Sequence, residues 1–151
     1  MNRWLSAVAG GVAGISVMSV LLVLLDTETR SAVGIFDAVA RFVGMPGDTA
    51  LGFVLFFLAG ALLWPPVFVA VEDYLPGGPD PGWRGIAFSI PLWVAFLAIN
   101  LTSVTGAIVI LFTLYTFAAH AIYGFTMGAV YARLTRSGPA YEGGPGVATS
   151  R

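Results

Sequence analysis

The chain has 151 residues, of which 58% are hydrophobic and 10% are charged, and its mean hydropathy is +0.88. Soluble domains carry about 25% charged residues, so this composition excludes water as the main solvent of the fold. The net charge of −1 excludes the broad basic face of a nucleic-acid-binding protein, and the absence of cysteine excludes disulfides, thiolate metal sites and thiol catalysis.

Apolar segments long enough to cross a bilayer recur along the chain, since a hydrocarbon core of about 30 Å requires about 20 apolar residues per helix. We predict spans at residues 5–25, 50–71, 86–103 and 106–131, which form one all-α, polytopic, four-helix transmembrane domain of residues 1–134. The first span follows Arg3 as a signal peptide would. Its uncharged run is longer than a typical signal-peptide core and lacks a cleavage site, so we predict that it is retained. Residues 135–151 are rich in Gly and Pro and predict a disordered polar tail.

A short amphipathic pattern at residues 31–43 separates the first two spans. Phe36, Ala40 and Val43 share one face of the predicted helix, while Asp37 and Arg41 form an i, i+4 pair on the other face. The polar face lacks the many basic residues of a membrane-recruitment helix. We therefore predict a short interfacial helix that lies on the end of the bundle.

The second span contains Trp64-Pro65-Pro66 in its later half. Both prolines lack an N–H group, so the carbonyls of Ala61 and Leu62 lose their helical partners and a kink is predicted. Each freed carbonyl needs another donor in lipid. The Pro- and Gly-rich run at 75–85 predicts a turn before the third span, and the tight turn at 102–105 makes the third and fourth spans antiparallel neighbours.

The arginines beside the predicted spans indicate an orientation, because cytoplasmic flanks retain positive residues. With the amino terminus inside, only Arg30 and Arg41 lie outside. The remaining arginines then lie inside: Arg3, Arg84, Arg133, Arg136 and Arg151. We predict a multi-pass protein of the cell membrane with both termini in the cytoplasm.

The fourth span carries the most distinctive pattern in the chain, His120-x-x-Tyr123-Gly124-x-x-x-Gly128. His120, Gly124 and Gly128 are four residues apart and share a ridge on which a second helix can approach closely. The small residues at positions 6, 10 and 14 of the first span form a plausible counterpart ridge. This pattern predicts close helix packing around His120.

His120 is the only histidine and lies near the middle of its predicted span, where an ionisable group usually faces the bundle interior. A neutral imidazole there can fix helix register by bonding to the carbonyls freed by Pro65 and Pro66 or to a hydroxyl. The candidate hydroxyls are Ser16, Ser19, Ser89 and Thr116. A proton relay or substrate site is one alternative, although the apolar segments contain no Asp, Glu, Lys or Arg to extend a relay. Haem ligation, with Met18 as a second ligand, is the other.

The acidic residues Glu72, Asp73 and Asp80 lie together after the second span. Their spacing matches no calcium loop, so we predict a solvated turn that is partly paired with Arg84. No arrangement of nucleophile, base and acid, no phosphate loop and no metal cluster occurs in the sequence, which predicts a protein that is not an enzyme and holds no metal.

Three motifs together resemble a family of uncharacterised prokaryotic four-helix membrane proteins that is well represented in halophilic archaea. They are FVGMPG at 42–47, RGIAF at 84–88 and the HxxYGxxxG motif of the fourth span. The resemblance covers residues 8–134 and implies the same fold, with no established activity to transfer. Members often have a second histidine in the second span, where this chain has Phe56 or Phe57.

These observations predict a non-catalytic membrane protein without a cofactor. Its partners are the lipid bilayer and either further copies of the chain or a larger membrane complex, such as a respiratory one. The first alternative is a small transporter or channel that uses the helix broken at Pro65 and Pro66 together with His120. The second is an electron carrier that binds haem through His120 and Met18.

Overall fold

The computed structural model of the protein describes residues 2–29, 34–100, 105–106 and 108–136. These residues form helices and no strand, in agreement with the predicted all-α class. The α-helices are α1 (Arg3–Glu28), α2 (Ile35–Phe42), α3 (Thr49–Leu58), α4 (Trp64–Val71), α5 (Pro81–Asn100) and α6 (Ile108–Arg136). A π-helical turn, Ala59–Leu63, joins α3 to α4, and a 3₁₀ turn, Glu72–Tyr74, follows α4.

Four stretches of helix are long and apolar enough to cross a membrane: Arg3–Glu28, Thr49–Tyr74, Pro81–Asn100 and Ile108–Thr135. We refer to them as the first to fourth long helices. Each overlaps one predicted span. Residues 31–33 of the predicted interfacial helix, residues 101–103 and 107 of the predicted spans, and residues 137–151 of the predicted tail lie outside the described residues.

The third long helix begins at Pro81, within the run where a turn was predicted. The carboxylate of Asp80 accepts the backbone N–H of Gly82 at 2.8 Å, and Pro81 occupies the first helical position, where its missing N–H needs no partner. The prediction of a turn up to residue 85 was therefore wrong. Proline and glycine at 81–85 start this helix instead of preceding it.

The short helix α2 packs into the start of the second long helix. The ring of Phe36 contacts the rings of Phe53 and Phe56, with centroids 5.2 and 6.0 Å away. The predicted pair on its polar face is confirmed, because Arg41 lies 3.3 Å from the carboxylate of Asp37. The apolar face was predicted less well. Val43 lies just beyond the helix and is exposed, whereas Ile35, Phe36 and Ala40 are buried.

The second long helix adopts a π-helical turn just before its two prolines. The N–H of Trp64 bonds to the carbonyl of Ala59, five residues back, so the register is shifted by one residue. In this register the residue opposite Pro65 is Gly60, and proline has no N–H to donate to it. From the sequence, the carbonyls that lack a backbone donor were predicted to be those of Ala61 and Leu62. In the structure, the first carbonyl that lacks one is that of Gly60.

Glycines let α6 approach both α1 and α5 with almost direct backbone contact. A Cβ atom added to Gly85 would lie 2.0 Å from the carbonyl oxygen of Gly124, and one added to Gly10 would lie 2.4 Å from that of Met127. Gly128 faces the carbonyl of Pro81 in the same way. The ridge of Gly124 and Gly128 therefore packs on α5. The small residues of the first helix also pack on α6, as the sequence suggested, but Gly10 and Gly14 face Met127 and Tyr123 there and not the ridge of Gly124 and Gly128.

Candidate functional site

The polar side chains of α6 tie it to the other long helices. The Tyr115 hydroxyl donates to the carbonyl of Leu21 on the first long helix at 2.8 Å. The indole N–H of Trp93 on the third donates to the hydroxyl of Thr116 at 3.2 Å. These two hydrogen bonds link α6 to the first and third long helices.

Tyr123 makes the corresponding bond to the second long helix. Its hydroxyl is buried and donates to the carbonyl of Gly60 at 2.8 Å. This carbonyl lacks a backbone donor because of the π-helical turn and Pro65, so the tyrosine supplies the donor that an apolar environment requires. The role that the sequence suggested for His120, bonding to a carbonyl freed by the prolines, belongs to Tyr123.

We expect Tyr123→Phe to lower the free energy of unfolding by about 1 kcal/mol, because the carbonyl of Gly60 is left without a donor in the apolar interior. Tyr74→Phe is the matched control, since Tyr74 is 88% exposed and its hydroxyl makes no such bond across the bundle. Unfolding in a denaturing detergent, followed by circular dichroism, measures both variants. Equal stability of the two variants would show that the bond to Gly60 does not hold the π-helical turn.

An ionic cluster around a buried carboxylate closes one end of the bundle. The Glu72 carboxylate, whose side chain is 8% exposed, accepts hydrogen bonds from Arg3 at 3.0 Å and from the Tyr131 hydroxyl at 2.6 Å. Glu72 is therefore a structural carboxylate, and its prediction as part of a solvated turn was wrong. The predicted pairing with Arg84 holds for Asp73, at 3.6 Å. The sequence signal that was missed is that Arg3, Glu72 and Tyr131 all lie at helix ends on one side of the predicted bundle.

His120 makes no bond to another helix, unlike Thr116, Tyr123 and Tyr131, the other polar residues buried on α6. It is 4% exposed, and its Nδ1 lies 2.8 Å from the carbonyl oxygen of Thr116, one turn earlier in the same helix. A carbonyl only accepts, so Nδ1 carries the hydrogen and Nε2 carries the lone pair. No hydrogen bond within the described residues reaches Nε2. The predicted bonds from His120 to hydroxyls are not made.

A cavity of about 180 Å³ lies beside His120, between the second and third long helices. Met18 and Tyr123 also line it, so the structure brings together three residues that the sequence singled out. Its other lining residues are Ile15, Phe56, Ala59, Gly60, Trp64, Leu92, Ala95, Phe96 and Ile99. His120, Tyr123 and Trp64 are the lining residues that carry a polar side-chain group, and the rest of the wall is apolar.

The remaining predicted residues contact helices instead of the cavity. Gly124 and Gly128 face α5, as described above. Pro65 is buried against the first long helix, where a Cβ on Gly11 would lie 2.2 Å from its Cγ, and Pro66 is half-buried. Pro65 and Pro66 therefore act on the cavity only through the π-helical turn that contributes Ala59 and Gly60.

Two side chains at this cavity could ligate a metal ion or a haem iron. They are the imidazole of His120 and the thioether of Met18. No group of three or more His, Asp or Glu side chains is close enough to share a metal ion in the part of the chain that the structure describes. The volume is also below the roughly 300–1,000 Å³ of pockets that enclose drug-sized ligands, and a haem is larger still. The arrangement is suited to a small apolar molecule that makes one hydrogen bond.

The fold and the site together define a helical protein of membrane-spanning character with a small, mostly apolar cavity beside His120. A comparison with known protein families assigns the chain to one of them. The chain belongs to DUF6789, a family of unknown function, whose model matches residues 1–140. No curated protein and no solved structure matches the chain. The match confirms the predicted relation to an uncharacterised family.

Proposed function

We propose that this protein is a four-span integral protein of the cell membrane with both termini in the cytoplasm, and that it acts without catalysis as an accessory or structural subunit. The lengths and hydropathy of the long helices support the spans. The pairing of Arg3 with Glu72 and of Arg84 with Asp73 brings the start of α1, the end of the second long helix and the start of α5 to one side, as an up-and-down bundle requires. The excess of arginine on that side supports a cytoplasmic placement.

The observation that carries the structural role is the use of the buried polar groups. Tyr115, Thr116, Tyr123 and Tyr131 on α6 each bind a group on a different part of the bundle. These bonds fix the geometry of the helices relative to one another. A rigid bundle of this kind suits a packing partner within a homo-oligomer or a larger membrane complex, such as a respiratory one.

The surface of the bundle supports the same role. The close glycine contacts are used within the chain, and the outward positions of α6 carry large apolar side chains such as Ile110, Leu114 and Phe125. Lipid or apolar helices of a partner can cover such a surface. We further propose that the HxxYGxxxG motif is common to the family and that its members are of the haloarchaeal type.

A transporter is the second candidate, and the π-helical turn beside His120 favours it, because interrupted helices often mark transport sites. The cavity wall argues against an ionic substrate. A desolvated ion needs several polar or charged ligands, and the wall at His120 provides one neutral imidazole acceptor among apolar side chains. Any transported solute is therefore small and uncharged.

Purification from native membranes in a mild detergent tests the proposed role. We expect a carboxyl-terminally tagged chain to elute with a stoichiometric partner or as a defined oligomer, as measured by native mass spectrometry. Mixing isotopically labelled and unlabelled membranes before solubilisation controls for association after lysis. A lone monomer, together with solute flux in proteoliposomes that His120→Phe abolishes, would replace this proposal with the transporter.

A further inference from the structure

The cavity beside His120 contains an imidazole nitrogen, Nε2, that has no hydrogen-bond partner among the described residues. A purely structural bundle does not need such a group. The other polar side chains buried on α6 with His120, namely Thr116, Tyr123 and Tyr131, are bonded to neighbouring helices. His120 uses Nδ1 on its own helix and leaves Nε2, an acceptor, without a partner among the described residues. His120 lines the cavity, and most of the cavity wall is apolar, so a molecule that supplies a hydrogen-bond donor to Nε2 is bound preferentially.

The size and shape of the wall narrow the class of molecule. A dry cavity of about 150 Å³ in another protein holds one benzene molecule, and the cavity here is about 180 Å³. The rings of Phe56, Phe96 and Trp64 line it, and the Phe96 ring lies 5.0 Å from the ring of His120. Aromatic walls of this kind favour a planar ring packed edge-to-face or offset against them.

The position of the cavity indicates the route by which a ligand reaches it. Aromatic pairs, Phe68–Phe88 and Phe56–Phe96, bridge the second and third long helices with centroids 5.6 and 6.0 Å apart. At the rim of the cavity, Ile99 is 40% exposed and Ala95 is also exposed on the outer apolar surface. In a bilayer this rim faces hydrocarbon.

We propose that the cavity binds the hydroxylated ring of a lipid-soluble phenol or quinol, whose hydroxyl donates to Nε2 of His120. The ligand enters from the bilayer between the second and third long helices. The inference deepens the proposed function and rests on its membrane placement, because only a membrane-dissolved molecule reaches this rim. Since Nε2 accepts, a ring that carries only carbonyl oxygens lacks the donor that the site requires.

Two fluorinated probes of nearly equal shape test the hydrogen bond, with ¹⁹F NMR of the purified protein in detergent as the measurement. They are 4-fluorophenol, which has the donor, and 4-fluorotoluene, which lacks it. We expect saturable binding of both to the unmodified chain, with 4-fluorophenol about tenfold tighter. In His120→Phe we expect the two affinities to become equal, because the ring volume remains and the acceptor is lost.

A matched pair of variants separates the cavity from general partition into detergent. Ala95→Phe places a ring at the rim and is expected to remove saturable binding of both probes. Ala118→Phe adds the same ring to an exposed position of α6 and is expected to leave binding unchanged.

Equal affinity of the two probes for the unmodified chain would overturn the proposal, as would binding that survives in Ala95→Phe. If His120→Phe does not fold, the comparison of the probes on the unmodified chain and Ala95→Phe decides the question alone. The binding assay needs no partner, and the purification from native membranes needs no ligand. Either proposal can therefore fail while the other stands.

Discussion

Gly124→Val is expected to force α5 and α6 apart and to lower the free energy of unfolding by roughly 3 kcal/mol, the upper end of the range for overpacked cores. A Cβ atom at position 124 would lie 2.1 Å from the carbonyl oxygen of Gly85 and 2.9 Å from the Cβ of Ser89. The first of these atoms belongs to the backbone, so no change of rotamer relieves the clash. The helices can only separate, and the apolar contacts along their length weaken together.

The matched control is Ala118→Val, which introduces the same β-branched residue into the same helix at an exposed position. Val has a lower helix propensity than Ala but a higher one than Gly, so propensity alone would favour Gly124→Val over Ala118→Val. A lower stability of Gly124→Val therefore reports packing. Thermal unfolding in detergent, followed by circular dichroism, measures that difference. If Gly124→Val unfolds at the temperature of Ala118→Val, the contact of Gly124 with Gly85 is not close in the folded protein.

The long helices could be predicted from the sequence because each depends on a property that is local. An apolar run of sufficient length has only a few stable structures in lipid, and each of the four predicted segments overlaps one helix long enough to span. The start of α5 was missed for a local reason as well. Asp80 and Pro81 form a helix start whose signal is a cap and a proline, and the neighbouring glycines resemble a turn.

The partners of the buried groups could not be predicted, because they depend on how helices rotate about their axes. His120 and Tyr123 are three residues apart and face nearly the same side of α6. The sequence alone therefore does not decide which of the two side chains bonds to the second long helix. The longer side chain of Tyr123 reaches the carbonyl of Gly60, and His120 bonds within its own helix. The π-helical turn that frees this carbonyl depends in turn on a donor 63 residues away.

The packing partner of the glycine ridge on α6 could not be predicted from the sequence either. Spacing of four residues identified Gly124 and Gly128 as a packing surface, but small residues on α1 and α5 offer surfaces of equal shape. In the structure Gly124 faces Gly85 and Gly128 faces Pro81, so the ridge packs on α5. The cavity beside His120 follows from this arrangement, since α5 lies against α6 while aromatic rings hold it away from the second long helix.

Removal of Arg3 has the second large expected effect, and a double-mutant cycle isolates it. The side chain of Glu72 is 8% exposed and that of Arg3 is 52% exposed, so Arg3→Ala leaves a nearly buried carboxylate without the cation that it binds. The loss of one partner from a fully buried pair costs about 3–5 kcal/mol. We expect a smaller loss here, because water reaches the Arg3 side and screens the interaction.

Glu72→Gln removes the charge but keeps an oxygen that accepts from Arg3 and from the Tyr131 hydroxyl, so we expect it to cost about 1 kcal/mol or less. The double variant Arg3→Ala with Glu72→Gln is then expected to be more stable than Arg3→Ala alone, since no charge remains buried without a partner. Asp73→Asn is the control on an exposed acid, whose side chain is 80% exposed, and it is expected to change stability little. Additive effects of the two substitutions would mean that Arg3 stabilises this end of the bundle through its contact with the carbonyl of Val69, and not through the charge of Glu72.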